Sequence, residues 1–233
     1  MRPFFSFYGS KWRVAPYYPK PRYSEIREPF AGSAGYALRY PERTVVLYDV
    51  DPIIAGVWGY LIRTPAREIR RLSTDFSAVD DKSLPQEARW LIGFWLDKGM
   101  PQPSESPGTW CRSGDYPTQF WGDAIRERIA LQVDYIRDWK IRQWSWEKAF
   151  IKKPVTYFVD PPYASEPGRA YTYDEVSYRD LAQACEDQSG QVIVCEQEGA
   201  DWLPFHEFGT IKSNARSKTS KEVMWTNREE INP

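Results

Sequence analysis

The chain has 233 residues, a formal net charge of −1 and a pI near 6.0. That length holds one sizeable core plus an insertion, or two small domains, and the charge supplies no global basic field for nucleic acid. Three cysteines (Cys111, Cys185, Cys195) and one histidine (His206) offer no CxxC or histidine pair, so no metal site is expected.

The odd cysteine count fits a reducing compartment. No apolar stretch is long enough to span a membrane and the N-terminus lacks a signal-peptide pattern, so a soluble, intracellular, cytoplasmic protein is expected.

Residues 24–29 lead into FAGSAG, then YALRY predicts a helix and TVVLYD a buried strand. DPIIAGVWGYLI follows as an apolar helix opening after Asp51 and Pro52. A strand–turn–helix–strand–helix unit implies an α/β fold with a parallel sheet. From about Thr64 the character changes. TPAREIRRL and SLPQEARWLIGFWLDKG predict short helices, the second with a Ser83/Gln86 capping box and Gly99 at its end. MPQPSESPGTWCRSGDYPTQ is a proline-rich loop long enough to carry function, and residues 119–139 predict another helix. The strand pattern resumes with KIRQWSW, VTYFVD and GQVIVCEQ and closes with FGTIKS and KEVMWTN. Residues 65–140 therefore read as a helical block inserted between two halves of one sheet domain, 1–64 and 141–233.

Small residues from Ala31 to Gly35 in REPFAGSAGYAL form a strand-to-helix turn. Such a turn lets a ligand approach the backbone, and the following helix start favours a carboxylate or phosphate, although a purely structural turn explains it equally well. The G-x-G-x-x-G dinucleotide pattern is absent. Asp49 ends the next strand, where an acid commonly holds two ribose hydroxyls; the competing role is helix capping, open equally to Asp51. Lys11, in SFYGSKWR, reads by itself as part of a solvated terminus.

The sharpest signal is Asp160-Pro161-Pro162-Tyr163. Two prolines remove two backbone donors and hold Asp160 extended, leaving free carbonyls beside a carboxylate and an aromatic face. A carboxylate and a carbonyl can together accept both hydrogens of an exocyclic amine, and a tyrosine can stack on a planar base. The basic run KSNARSKTSK, with Lys212, Arg216 and Lys218, suits phosphate contacts if it lies near the site. Cys195 has no basic neighbour and reads as core. His206 has no partner for a triad, and Trp90, Trp95, Trp139, Trp144 and Trp146 read as packing.

In this order, FYGSK, EPFAGSAG, LYDVDP, FVDPPY and KEVMWTN resemble the motifs of the DNA adenine methylase (Dam-type) family of adenine-N6 methyltransferases. The resemblance covers most of the chain and follows the family's alpha arrangement, with a target-recognition insertion between the glycine turn and DPPY. It implies a Rossmann-like methyltransferase fold: a seven-stranded mixed sheet with one antiparallel strand near the edge. It implies S-adenosylmethionine as cofactor, bound by Phe7, Lys11, Glu28, Phe30, Gly32, Asp49 and Asp160. Asp160 and the Pro161 carbonyl would accept hydrogen bonds from adenine N6, Tyr163 would stack on the flipped base, and Arg112 in WCRSGDY would read a guanine. Ala34 stands where the family often has a second glycine, which predicts a narrower cofactor site. The implied partner is double-stranded DNA, and the acidic balance leaves room for a homodimer or a DNA-delivering partner. The alternatives are another exocyclic amine (cytosine N4 or an RNA adenine) and a non-catalytic relic that binds cofactor or DNA.

Overall fold

The computed structural model of the chain describes residues 1–116, 118–164, 168, 170–212 and 219–228, with only the backbone described at 209–212, 219 and 220. Seven strands form one sheet: β1 (Glu25–Glu28), β2 (Thr44–Tyr48), β3 (Lys140–Arg142), β4 (Thr156–Val159), β5 (Gln191–Gln197), β6 (His206–Lys212) and β7 (Thr219–Thr226). Their spatial order is β3-β2-β1-β4-β5-β7-β6. The pairs among β1 to β5 are all parallel, while β7 runs antiparallel to both β5 and β6. This is the seven-stranded mixed sheet, with one antiparallel strand next to the edge, that the resemblance implies.

Side-chain alternation puts a separate core on each face. Val45 and Leu47 of β2, Phe158 of β4, and Ile193 and Cys195 of β5 join one cluster. On the opposite face, Tyr157, Val159, Val192 and Val194 join a second cluster, and Val46 and Tyr48 a third. Burial on both faces explains why β4 and β5 read as unbroken apolar runs rather than alternating ones.

The first face is covered by α1 (Pro52–Arg63), α3 (Gln86–Leu96) and α5 (Asp123–Gln132), while α2 (Ala66–Arg71) packs on α5. Ile69, Leu91, Phe94, Trp121 and Ile125 share one cluster with Ile26 and Leu47, so the 65–140 stretch adds to the sheet's core rather than building its own. The second face is closed by α6 (Tyr178–Glu186), which the sequence reading does not anticipate. Ser177 caps α6 by accepting from Asp180 N–H, and its buried stripe is only Leu181, Ala182 and Cys185. Among the described residues no helix is long and apolar enough to cross a membrane.

Two local expectations fail. Ser83 does not cap α3: its hydroxyl bonds Asp81, Pro85 holds the cap position, and the Gln86 amide oxygen accepts from Arg89. YALRY makes a single 3₁₀ turn, Ala37–Arg39, rather than an α-helix. Of the five tryptophans read as packing, Trp95, Trp139 and Trp146 are buried and Trp90 is half-buried against the core, but Trp144 is 54% exposed.

Candidate active-site cleft

A cleft of about 560 Å³ opens beyond the carboxyl ends of β1, β2 and β4, where open α/β sheets place their ligands, and within the roughly 300–1,000 Å³ typical of small-molecule sites. Phe7, Lys11, Glu28, Phe30, Gly32, Asp49 and Asp160 all line it. Residues separated by up to 153 positions in the chain thus meet in one cavity.

The glycine turn builds its floor. Gly32 takes φ +44°, a left-handed backbone that favours glycine. Its N–H donates to Asp49 Oδ2 at 3.0 Å and its carbonyl accepts from Trp58 Nε1 at 2.8 Å. Gly35 serves a different purpose: a Cβ there would sit 2.6 Å from Trp12 N and 3.0 Å from the Lys11 carbonyl carbon. Its missing side chain lets the N-terminal 3₁₀ turn Lys11–Arg13 rest on the glycine turn. Ala34 also has a positive φ, +52°, but its methyl is buried in the core and does not line the cleft, so it leaves the cavity its width. The first free N–H of the following turn, at Ala37, is taken by Glu28 Oε1 at 2.7 Å. The expected helix-start anion site is therefore filled by the chain's own Glu28 carboxyl, whose pKa burial raises.

The two acids after β2 divide their roles. Asp51 is the helix cap, accepting from Ile53 N–H at 2.8 Å. Asp49 faces the cleft and accepts from Gly32 N–H and Asp51 N–H, each at 3.0 Å. Burial raises its pKa to about 7, against the pull of those two bonds. Gln102, from the proline-rich loop, donates to Asp51 Oδ2 at 3.1 Å and Thr172 Oγ1 at 3.0 Å, tying three cleft walls together.

Lys11 is not solvated. It is 6% exposed, with its ammonium 2.9 Å from Asp160 Oδ1 and 3.0 Å from the Gly9 carbonyl. It also lies 4.8 Å from the centre of the Tyr163 ring. Burial works against its charge, but Asp160 and Glu222 outweigh that and raise its pKa. For Asp160, burial is the larger influence: with Glu222 and Glu196 nearby its pKa rises to about 6, although Lys11 pulls it down. Cys195 is fully buried and burial pushes its thiol up, so the core reading holds, but it does have a basic neighbour, Lys11, which pulls the other way.

The DPPY segment departs from expectation in two ways. The Pro162 carbonyl is not free, since it accepts from the Tyr178 hydroxyl at 2.6 Å. Pro161 is buried outside the cleft lining, and Tyr163, half-buried, is not a lining residue either, its hydroxyl donating to Glu222 Oε2 at 2.6 Å. Arg112 lies on α4 (Thr109–Ser113), exposed and away from the cleft lining. Arg216, Lys218 and the Lys212 side chain fall outside the described residues.

The sequence reading also misses Gln102, Ser145–Glu147 and Tyr171–Ser177, which complete the cleft. Only their position after a strand or after DPPY could have marked them. Among the described lining residues, seven acids (Glu28, Asp49, Asp51, Glu147, Asp160, Asp174, Glu175) face one base, Lys11. Such a cavity repels phosphate and favours a cation with hydroxyl donors. No cluster of potential metal ligands occurs among the described residues.

No protein-family model matches the chain, and no curated protein matches it. Among solved structures, a "conserved hypothetical protein" of Streptococcus pyogenes aligns at 12% identity and TM-score 0.39, over 93% of this chain and 91% of that one. The "putative methylase HI0767" of Haemophilus influenzae aligns at 11% identity and TM-score 0.34, over 93% and 85%. At such scores neither likeness bears on what this chain does.

Proposed function

We propose that the chain is an S-adenosylmethionine-dependent methyltransferase acting on the N6 amino group of a flipped-out adenine in DNA. One observation carries the reading: Asp160 of DPPY, held by buried Lys11, lines the same acid-rich cleft as Gly32 and Asp49. The cofactor's features fit that cleft. It has a diol for Asp49, a cationic centre for a cavity lined by acids, and no phosphate to be repelled. Phe7 and Phe30 supply apolar walls, and Glu28 and Lys11 line the same cavity.

When bound, S-adenosylmethionine would supply an electrophilic methyl carbon. Asp160 accepts a hydrogen bond from the amine and stabilises the positive charge that grows on nitrogen as it becomes tetrahedral. Its carboxylate can then take the departing proton. Lys11 fixes one carboxylate oxygen and keeps Asp160 ionised, leaving the other oxygen for the substrate. The segment 101–121 and the basic run at 212–221 would meet the duplex, with Arg112 reading a base and Lys212, Arg216 and Lys218 contacting phosphates.

The acids Asp174 and Glu175 along the cleft favour a second reading, in which the same chemistry serves an exocyclic amine outside duplex DNA. Incubation with labelled S-adenosylmethionine and either unmethylated DNA or RNA, followed by nucleoside analysis, separates the two. N6-methyladenine from DNA supports the first; label only in RNA supports the second.

A further inference from the structure

Glu222 is an acidic side chain that β7, a strand of mixed polar and apolar residues, buries rather than turns to solvent. In β7 it is 7% exposed, beside Val223 and Trp225, which are also buried. A carboxylate at such a position is expensive unless something holds it there. Its partner is Tyr163, whose hydroxyl donates to Oε2 at 2.6 Å. The neighbouring strand is irregular at this point. β6 carries a bulge between Glu207 and Gly209, directly opposite the Val223–Glu222 step. The extra residue, Phe208, stacks on Tyr18 at 4.1 Å and 11°. Bulges next to functional sites re-aim side chains.

Tyr163 has two restraints: its hydroxyl on Glu222 and the Lys11 ammonium over its ring, while Lys11 itself grips Asp160. We infer that Glu222 is a positioning residue, which fixes the half-buried Tyr163 ring through its hydroxyl so that a substrate base entering beside the cleft finds a preset stacking surface next to Asp160. The inference deepens the proposed function and rests on it. The tether explains a tyrosine at this position, because a phenylalanine would stack equally well but could not be held by β7.

The test compares E222A, E222Q, Y163F and the E222A/Y163F double variant in methyl transfer to unmethylated DNA, with S-adenosylmethionine affinity measured by calorimetry. E222A and Y163F are each expected to lose on the order of 10–100-fold in kcat, the scale of a misplaced reacting group. Cofactor affinity should stay unchanged in both, and the double variant should lose no more than either single. E222Q keeps an acceptor oxygen and should lose less than E222A. A merely structural role would instead lower cofactor affinity and kcat together in E222A and leave Y163F near wild type. Wild-type kcat in Y163F, or multiplicative losses in the double variant, overturns the inference even if E222A fails to fold. A wild-type chain that methylates no DNA overturns the functional reading itself.

Discussion

Lys11 and Arg112 are both basic residues on short helical turns, and the fold treats them oppositely. Lys11 is buried, ion-paired and packed over an aromatic ring. Arg112 is exposed on a five-residue helix beside Trp110, itself 62% exposed, and near Tyr116, whose ring lies 6.0 Å from that of Trp110. The cleft is built from groups whose partners are already in place, as electrostatic preorganisation requires. The 109–116 stretch shows aromatic faces and a cation to solvent, as an adaptable contact surface does. If chemistry and readout are divided this way, substitutions in the two regions should differ in kind as well as in size.

The largest effect is expected at Asp160. D160N should lower turnover on the order of 10³-fold while cofactor affinity holds, read by single-turnover methylation and calorimetry. Equal turnover would break the division at its centre. Next is K11M. It leaves Asp160 without its cation and should cost about 3–5 kcal/mol of stability in denaturant titration, the scale for breaking a buried pair. Because Lys11 lowers the Asp160 pKa, its loss should also move the acid limb of the rate profile upward from about 6.

The wild-type profile follows from the same residue. Asp160 acts ionised, so kcat should fall about tenfold per pH unit below about 6. The stability sign is opposite. A carboxyl whose folded pKa lies above its ordinary 3.8 binds its proton more tightly in the folded chain, so its contribution declines as pH rises from there through about 6. Asp49 predicts a separate dependence: cofactor affinity should weaken as pH drops through about 7, and D49A should weaken it by roughly 10–100-fold at pH 8, where wild-type Asp49 is ionised. The smallest effect on rate belongs to Arg112. R112A should leave turnover on the preferred site nearly intact but relax discrimination at one base pair by about 1–3 kcal/mol. A uniform loss on all sites would make Arg112 a phosphate contact instead.

How far the sequence could be read depended on how the signal is stored. Strands buried on both faces announce themselves as runs such as VIVC and TYFV, so most of the sheet was legible. The helix α6 was not, because three small or apolar residues, Leu181, Ala182 and Cys185, suffice to close its face in a polar stretch. Of the cleft's acids, Glu28, Asp49, Asp51 and Asp160 were legible because strand ends and prolines mark them, whereas Glu147, Asp174 and Glu175 lie in segments with no such mark. Lys11 was legible only through family resemblance, since its burial depends on Gly35, 24 positions away, having no Cβ. Glu222 was hidden because an acid is unremarkable in the half-polar stretch TSKEVMWT, and its meaning lies in a bond to Tyr163, 59 residues away. The carbonyl of Pro162 shows the converse error: missing donors in the prolines freed an acceptor locally, and Tyr178 claimed it from sixteen residues on.

Everything proposed for this chain turns on whether the Asp160 cleft transfers methyl groups to an adenine amine in DNA. Labelled S-adenosylmethionine, unmethylated genomic DNA and nucleoside analysis of wild type beside D160N test it most directly. N6-methyladenine is expected with the wild type and almost none with D160N. Label on another acceptor, or no transfer despite measurable cofactor binding, would contradict the proposal.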